Sequence, residues 1–186
     1  MPLNHFDLVA RVYDRVLRFS GPEPILRLLQ VEDGQRVLDV GGGTGRVVST
    51  FSCDCFLVVC DASWTMGREA IGKGLAACTG AAERLPFADG AFDRLVMVDV
   101  FHHLADHRTA AREMVRVLAP GGIAVIEEPD IRFPSIKRLA LAERLVLMRS
   151  TFFSPADMVE MFREAGAGRV DLHEDPPNAR VVVVAP

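Results

Sequence analysis

The stretch VLDVGGGTG, residues 37–45, places a short apolar run directly before a cluster of glycines. An apolar run of this length, bounded by turn residues, is typical of a buried strand. Helical spacing follows from Thr44 to about Phe51, so we predict a strand, a glycine turn and a helix in succession. Ligands of open α/β sheets bind outside the carboxyl ends of the strands, and glycines there let a ligand approach the backbone. The stretch therefore predicts both an α/β fold and a ligand site.

Strand-like and helical patterns alternate along the rest of the chain. Apolar runs at 55–60, 75–79, 93–100 and 122–129 predict further strands, and helices are predicted from Ser63 and over 106–118, about 135–149 and from Ser154. The last two runs, GRVDLH and ARVVVVA, flank the turn-rich EDPPN and predict an antiparallel pair. This order predicts a doubly wound, Rossmann-like α/β sheet, mostly parallel with an antiparallel last strand, and helices on both faces. We expect one domain over residues 1–186.

The bulk properties of the chain narrow the classes of function. The net charge is −4 at pH 7, so no basic field attracts nucleic acid. The apolar runs are too short to span a bilayer, and the first residues lack a signal-peptide pattern, so we expect no membrane span and a cytoplasmic location. The Cys53-x-Cys55 pair suggests a metal or redox pair, but no second ligand pair stands at zinc spacing. We interpret the four cysteines as small residues in or beside strands and predict no metal site.

The spacing of the glycines and of one acidic residue indicates which ligand the turn binds. Asp61 lies 20 residues beyond Gly41, where dinucleotide-binding folds place the acceptor of ribose hydroxyls. A nicotinamide fingerprint, G-x-G-x-x-G, fails because its sixth position is Arg46 when counted from Gly41 and Val48 when counted from Gly43. A phosphate-binding P-loop motif is absent from the sequence as well. The pattern that remains is D-x-G-x-G-x-G over residues 39–45. Together with Asp61, it indicates a ligand that contains adenosine.

This pattern resembles motif I of class I S-adenosylmethionine (SAM)-dependent methyltransferases. The segments GAAERLPF (80–87), FDRLV (92–96) and VLAPGG (117–122) resemble later motifs of the same family. The whole is most similar to its small-molecule branch, the ubiquinone/menaquinone methyltransferase-like type 11, which Phe6-Asp7 and Tyr13-Asp14 also resemble. The resemblance implies a strand order of 3-2-1-4-5-7-6, SAM as cofactor and methyl transfer to a small-molecule acceptor.

The resemblance also implies a set of cofactor-binding residues, carried over position by position. They are Asp39, Gly41, Gly43, Gly45, Asp61, Ala62, Met66, Ala82, Glu83 and Asp99. The glycines would bring backbone close to the methionine part and ribose of SAM, and Asp39 would fix that loop. The carboxylate of Asp61 would accept from the ribose hydroxyls, and Asp99 would line the methionine end.

One position in the part implied to bind adenine departs from the family pattern. Ala62 and Met66 would flank the adenine ring, and Ala82 would offer its backbone N–H to it. The family commonly has Asp where this chain has Ala81, and that carboxylate accepts from the adenine amino group. The neighbouring Glu83 is a candidate substitute. Losing one such hydrogen bond costs about 0.5–1.5 kcal/mol of binding free energy.

Candidate groups for the acceptor side follow strands four and five. His102 and His103 are candidates for a general base, which is needed only when the acceptor must lose a proton. Capping of the turn is the alternative role of this pair. The acidic cluster Glu127, Glu128 and Asp130 would bind a polar or cationic acceptor or restrain its own loop. No side chain need form a covalent intermediate, because methyl transfer is an in-line displacement that depends on positioning.

Two helical segments are expected beside the acceptor site. Residues 1–30 resemble the N-terminal helical lid of the family. Tyr13 would either cover SAM or have only a packing role within this segment. The segment 131–153 is unusually apolar. An apolar acceptor, a homodimer contact and simple core packing explain it equally well.

The sequence is compatible with three functions. A small-molecule methyltransferase leads, with SAM as donor. A non-catalytic SAM-binding module acting through partners is the alternative that Ala81 favours. An NAD-dependent oxidoreductase is disfavoured by Arg46 and by the lack of room for a separate substrate domain.

Overall fold

The computed structural model describes residues 22–145 and 150–186. Its strands are β1 (Arg36–Val40), β2 (Phe56–Asp61), β3 (Ala76–Thr79), β4 (Phe92–Val98), β5 (Leu118–Pro129), β6 (Arg169–Asp175) and β7 (Asn178–Val184). Its α-helices are α1 (Glu23–Leu29), α2 (Trp64–Gly72), α3 (His107–Val117), α4 (Pro134–Leu145) and α5 (Pro155–Glu164). Two short 3-10 turns, Val48–Thr50 and Phe101–His103, complete the described elements.

The strands form one seven-stranded sheet in the order β3-β2-β1-β4-β5-β7-β6. Strands β1 to β5 pair in parallel, and β7 lies antiparallel between β5 and β6. Residues from α1 and α2 join the apolar cluster on one face of the sheet, and residues from α3 and α5 join the cluster on the other. The predicted fold class and strand order are confirmed.

Local capping explains where several helices begin. The side chain of Ser63 accepts from the backbone of Met66 at the start of α2, and Asp106 caps α3 in the same way through Thr109. A capping box between Ser154 and Asp157 opens α5. These caps satisfy backbone donors that a helix leaves unpaired at its first turn.

The helix predicted from Thr44 to Phe51 is wrong. The structure has turns followed by the 3-10 turn Val48–Thr50. The side chain of Thr50 donates to the carbonyl of Val47 at 2.6 Å, which competes with helical pairing. Valines at 47 and 48 further disfavour a helix, because β-branched side chains lose rotamer freedom there.

Strand β5 begins earlier than the predicted residue 122, directly after α3. Leu118 pairs with Phe92, and the next pair along the two strands is Ile123 with Arg94. Between these pairs β4 advances by two residues and β5 by five. The segment Pro120-Gly121-Gly122 is therefore an irregularity inside a strand, where the sequence predicted only a stop to the preceding helix.

The interpretation of the cysteines holds for two of them and is wrong for the other two. Cys60 and Cys78 are free thiols on neighbouring strands and are register partners. Cys53 and Cys55 form a disulfide in the loop before β2. Zinc-ligand spacing does not describe this pair, because two residues two positions apart in a bent loop can bring their sulfurs together without any metal.

Candidate functional site

A cavity of about 340 Å³ lies at the carboxyl ends of β1, β2 and β4. Its volume falls within the range of small-molecule sites, about 300–1,000 Å³. The walls come from the glycine loop after β1, the turn after β2, the loop after β3 and the turn after β4. The lining residues are Asp39, Gly41, Gly42, Gly43, Thr44, Arg46, Val47, Asp61, Ala62, Met66, Gly80, Ala81, Ala82, Glu83, Val98, Asp99, Val100, His103, Leu104 and Ala105.

The carboxylate of Asp61 is fixed by backbone amides of the glycine loop and of the turn after β2. The Gly43 amide donates to Oδ2 at 2.9 Å, and the Ser63 amide donates to Oδ1 at 2.7 Å. The Gly41 amide donates to the carbonyl of Cys60 at 2.7 Å and so joins the same two loops. Each carboxylate oxygen has a further lone pair, so Asp61 can still accept hydrogen bonds from a ligand in the cavity.

Asp39 lies beneath the glycine loop and is buried, with 1% of its surface exposed. A Cβ added at Gly42 would lie 2.3 Å from the Asp39 Cγ, so this position requires glycine. Burial, and secondly the charge of Asp61, raise the pKa of Asp39 to about 7, against the opposing influence of Arg46. Its Oδ2 atom has no hydrogen-bond partner among residues 22–145 and 150–186. A cationic ligand in the cavity would favour the ionised form of this carboxyl group.

Glu83 is held by the opposite wall of the cavity. Its Oε1 atom accepts from the Ala105 amide at 2.9 Å and from the Asp106 amide at 3.3 Å. Ala81, by contrast, is exposed and has no side-chain oxygen to offer. One oxygen of Glu83 is therefore already engaged in joining two loops, which limits its capacity to replace the missing carboxylate at Ala81.

A clamp beneath the cavity holds the rest of the loop that follows β3. Glu113 accepts from the Leu85 amide at 2.8 Å, and Arg116 donates to the Phe87 carbonyl at 2.9 Å. The same arginine contacts the Glu113 and Asp89 carboxylates, both at 2.7 Å. Helix α3 thus fixes the loop that carries Ala81, Ala82 and Glu83.

Asp99 directly follows β4 in a left-handed conformation, with φ of +57°. Aspartate is among the few residue types that tolerate this region, at some cost. Its amide donates to the Glu127 carbonyl at 3.0 Å. Burial, then the charges of Glu128 and Glu127, raise the pKa of Asp99 to about 6. The chain therefore turns sharply here and presents an easily protonated carboxyl group to the cavity.

Glu128 connects the end of β5 to the turn after β4. Its Oε1 atom accepts from the amides of Val100 and Phe101 at 2.8 and 2.6 Å. Its Oε2 atom lies 2.5 Å from His102 Nδ1. The side chains of His102 and Glu128 are each 5% exposed. A buried carboxylate of this kind is stable only when its oxygens are paired, as here.

The two adjacent histidines occupy different environments. His103 lines the cavity, whereas His102 is absent from the lining and stacks on Phe152 with ring centroids 4.4 Å apart. The rings of His102 and His103 lie 3.9 Å apart. His103 Nδ1 is 3.0 Å from Ser150 Oγ, and burial, then the charge of His102, lower the pKa of His103 to about 4. His103 is therefore neutral above this pH.

The other acidic residues at the end of β5 are paired with arginines. Glu127 accepts from Arg180 Nε at 2.5 Å on the opposite face from Glu128, and both of these residues are buried. Asp130 pairs with Arg132 at 2.6 Å, and Arg132 also contacts Glu174. The predicted acidic cluster thus restrains its own loop and the β6–β7 hairpin.

Comparison with known proteins indicates which family has a site of this kind. Residues 38–126 match a family model described as a methyltransferase domain. A demethylmenaquinone methyltransferase of Mycolicibacterium vanbaalenii is 33% identical over 153 residues, which are 78% of this chain and 66% of that protein. Another, from Beutenbergia cavernae, is 36% identical over 135 residues, 66% of this chain and 55% of that protein. The segment 38–126 therefore carries a class I SAM-dependent methyltransferase domain.

Solved structures of low sequence identity share the fold of this chain. A Haloferax volcanii protein, described as a putative methyltransferase in complex with the Trm112 activator, has a TM-score of 0.83 at 20% identity over the whole of both chains. A SAM-dependent methyltransferase of Thermotoga maritima, a possible histamine N-methyltransferase, has a TM-score of 0.80 at 21% identity, covering 97% of this chain and 98% of that one. This chain spans less than two thirds of the length of both demethylmenaquinone methyltransferases.

The structure brings most of the residues predicted for the donor and acceptor sites into one cavity. Those that line it are Asp39, Gly41, Gly43, Asp61, Ala62, Met66, Ala82, Glu83, Asp99 and His103. Gly45 and His102 do not line it. A Cβ at Gly45 would lie 2.2 Å from Leu75 Cδ1, so packing between the loop and the residue before β3 explains this glycine.

Sequence reasoning missed several lining residues and the role of Glu128. Arg46 entered the sequence argument only as a mismatch to the nicotinamide fingerprint, yet it lines the cavity. Val100, Leu104 and Ala105 belong to no motif, and only the direction of the chain after Asp99 brings them to the wall.

None of the helices within residues 22–145 and 150–186 has both the length and the apolar character that crossing a membrane requires.

Proposed function

We propose that this chain transfers a methyl group from SAM to a small-molecule acceptor. The observation that carries this proposal is the single cavity in which the glycine loop, Asp61 and the end of β4 meet. Asp61 would accept from the ribose hydroxyls, while the acidic groups Asp39 and Asp99 suit a donor that carries a sulfonium and an ammonium group. The methyltransferase domain over residues 38–126 supports the choice of donor.

The acceptor would enter at the end of the cavity formed by the turn after β4. Val98, Val100, Leu104 and Ala105 make this wall largely apolar, and His103 is a titratable group on it. Relatives described as demethylmenaquinone methyltransferases support an apolar, quinol-type acceptor. For such an acceptor a hydroxyl or ring proton must leave, and neutral His103 would accept a hydrogen bond from it. Methyl transfer itself requires mainly alignment and exclusion of water.

The lid and the acceptor-side segment remain predictions. Tyr13 and most of the predicted lid lie outside the described part of the chain, as do residues 146–149 of the acceptor-side segment. Helix α1, within the predicted lid 1–30, buries Ile25 and Leu29 against the sheet. On α4, Leu141 is 60% exposed. A single exposed leucine does not choose between an apolar acceptor and a second copy, and the molecular mass in solution tests the predicted homodimer.

The alternative, a SAM-binding module without catalysis, rests on Ala81 and on the engagement of Glu83 with Ala105 and Asp106. A structural neighbour described as a putative methyltransferase in complex with the Trm112 activator is a precedent only for a partner protein bound to this fold. Under it, donor binding would be weak and no acceptor would be methylated.

Calorimetry followed by a turnover assay tests the proposal. The purified protein is titrated with SAM, S-adenosylhomocysteine and NAD, and is then incubated with methyl-labelled SAM and reduced naphthoquinols, simpler phenols and amines. We expect micromolar binding of both adenosyl ligands, none of NAD, and label transfer to a naphthoquinol. Binding without transfer to any acceptor favours the module, and NAD binding contradicts the proposal.

A further inference from the structure

The acceptor end of the cavity is held by one residue that does not line it. Glu128 accepts from the Val100 and Phe101 amides with one oxygen and contacts His102 Nδ1 with the other. Val100 lines the cavity, and Phe101 opens the 3-10 turn that ends at His103. All these contacts span 26 to 28 residues of sequence, so β5 fixes the turn after β4 from outside.

The contacts of Glu128 also determine the chemical state of His102. A carboxylate oxygen can only accept, so the 2.5 Å contact places a proton on His102 Nδ1. Charge-assisted hydrogen bonds between buried partners are stronger than neutral ones, and they orient the ring that donates. His102 is held on its other sides by Phe152, which stacks on the ring, and by the Thr151 amide, which donates to the His102 carbonyl at 2.7 Å.

His103 takes its position from this arrangement. Its ring lies 3.9 Å from the His102 ring, and its Nδ1 atom lies 3.0 Å from Ser150 Oγ. Ser150 directly precedes Thr151 and Phe152, which both contact His102. Any movement of the His102 ring would therefore be transmitted to His103 both directly and through the segment 150–152.

We propose that Glu128 is the positioning residue of the acceptor site, which acts through His102 and the Val100–Phe101 backbone to hold His103 at the cavity wall. This inference rests on the proposed methyl transfer for its functional meaning. Its geometric content, the transmission from Glu128 to His103, does not depend on any reaction.

Glu128→Gln is the test variant, because it keeps an oxygen for the two amides and replaces the other by an NH2 group. That group donates, so His102 Nδ1 must lose its proton and the ring must change its tautomer or move. The matched control is Glu160→Gln on α5, whose side chain is 61% exposed. Both changes remove one negative charge and preserve side-chain shape.

Three readouts are measured on wild type and both variants: the SAM dissociation constant, kcat for the methylated acceptor, and imidazole nitrogen shifts of His102 and His103 by NMR. In Glu128→Gln we expect kcat to fall by about tenfold to a hundredfold, as for a displacement of about 1 Å, with SAM affinity within about twofold of wild type. The His103 signals should shift in this variant and stay unchanged in Glu160→Gln.

The outcomes separate this inference from the proposed function. If no acceptor is methylated by wild type, methyl transfer fails and the NMR readout alone decides whether Glu128 positions His103. Unchanged His103 signals in Glu128→Gln, or a wild-type His102 that lacks the Nδ1 proton, overturn the inference. Wild-type turnover in Glu128→Gln overturns it too, as does a parallel loss of SAM affinity. If Glu128→Gln does not fold, the wild-type His102 Nδ1 proton, observed directly, remains the deciding measurement.

Discussion

The two ends of the cavity are built in different ways. At the donor end the contacts are made by backbone: the Gly43 and Ser63 amides hold Asp61, and both lie within 18 residues of it. At the acceptor end, buried side chains from strands and loops distant in sequence hold one another, with Glu128 at the centre. The donor end therefore depends on glycine and on one carboxylate, whereas the acceptor end depends on a hydrogen-bond network.

The different construction of the two ends suits their different tasks: the donor end binds one cofactor, whereas the acceptor end can be adapted to different acceptors. Backbone amides give the same donor contacts whatever side chains surround them, which suits a site that binds one cofactor. A side-chain network can change one member at a time and so reshape the wall that faces the acceptor. We therefore expect donor-end variants to affect SAM binding first, and acceptor-end variants to affect turnover.

The largest effect is expected from Asp61→Ala, which breaks the donor end. Its carboxylate accepts two backbone hydrogen bonds and would accept those of the ribose. Because charged hydrogen bonds contribute about 1.5–3 kcal/mol each, we expect SAM affinity to fall by at least about a hundredfold by calorimetry. The control is Asp171→Ala on β6, at the far side of the sheet, which should bind as wild type. Equal affinity in the two variants would contradict the assignment of Asp61.

The substitution Gly42→Ala should also disrupt the donor end, by steric overlap. The new Cβ would lie 2.3 Å from the Asp39 Cγ, so the loop or the buried carboxyl must move. Such overpacking costs about 1–3 kcal/mol of unfolding free energy, measurable by urea denaturation, and should weaken SAM binding more than tenfold. Gly72→Ala on α2 meets nothing within 4 Å and should be neutral or stabilising. Matching behaviour of the two variants would mean that the loop is not sterically constrained.

Dependence on pH sharpens the comparison, because the two carboxyl groups proposed to face the cationic donor have raised pKa values, about 7 for Asp39 and about 6 for Asp99. Their ordinary value is 3.8, so the ligand-free folded state binds more protons between about pH 4 and 7. Its stability should therefore fall as the pH rises through this range. SAM is cationic and favours the ionised carboxylates, so its affinity should instead rise, by about tenfold between pH 5.5 and 7.5.

Thermal unfolding and calorimetry at both pH values check these opposite signs. Asp99→Asn should flatten the lower part of both profiles, since it removes the group that titrates near pH 6. A SAM affinity that falls as the pH rises would exclude Asp39 and Asp99 as partners of a cationic donor.

The smallest effect is expected from Ala81→Asp, which restores the carboxylate that the family commonly has at this position. Since one hydrogen bond contributes about 0.5–1.5 kcal/mol, we expect SAM to bind about threefold to tenfold more tightly. Ala81 is exposed at the cavity, so the new side chain needs no space in the core. Arg84→Gln in the same loop changes the net charge by the same −1 and controls for that change. An unchanged affinity would show that Glu83 already supplies the missing contact.

The sequence predicted the donor end better than the acceptor end for a physical reason. A strand that ends in glycines, with Asp61 at the end of the next strand, is a local pattern with a fixed spacing. The contact of Glu128 with His102 depends on the register of two parallel strands and on the sharp turn at Asp99, which has φ of +57°. Neither the register nor that dihedral angle has a motif, so the sequence placed both residues at the correct edge without pairing them.

The same reasoning explains the predictions that failed. The short segment 44–51 has helical spacing, but its β-branched residues and the Thr50 contact with Val47 favour a single turn. The sulfurs of Cys53 and Cys55 meet because of the path of a loop, which spacing rules for metal ligands do not describe. The strand order was predicted correctly because the motifs cover β1, β4 and the beginning of β5, which form the centre of the sheet.

The irregular start of β5 predicts where related chains tolerate a change in length. Side chains alternate along a strand, so Glu127 and Glu128 reach opposite faces of the sheet only while the register from Ile123 onwards is kept. An insertion or deletion within Pro120-Gly121-Gly122 changes only a segment that already lies outside regular pairing. The loss of one residue between Ile123 and Ile126 would exchange the faces of the two glutamates and so separate both from their partners. Alignments of related chains should therefore place their gaps before Ile123 and none between it and Glu128.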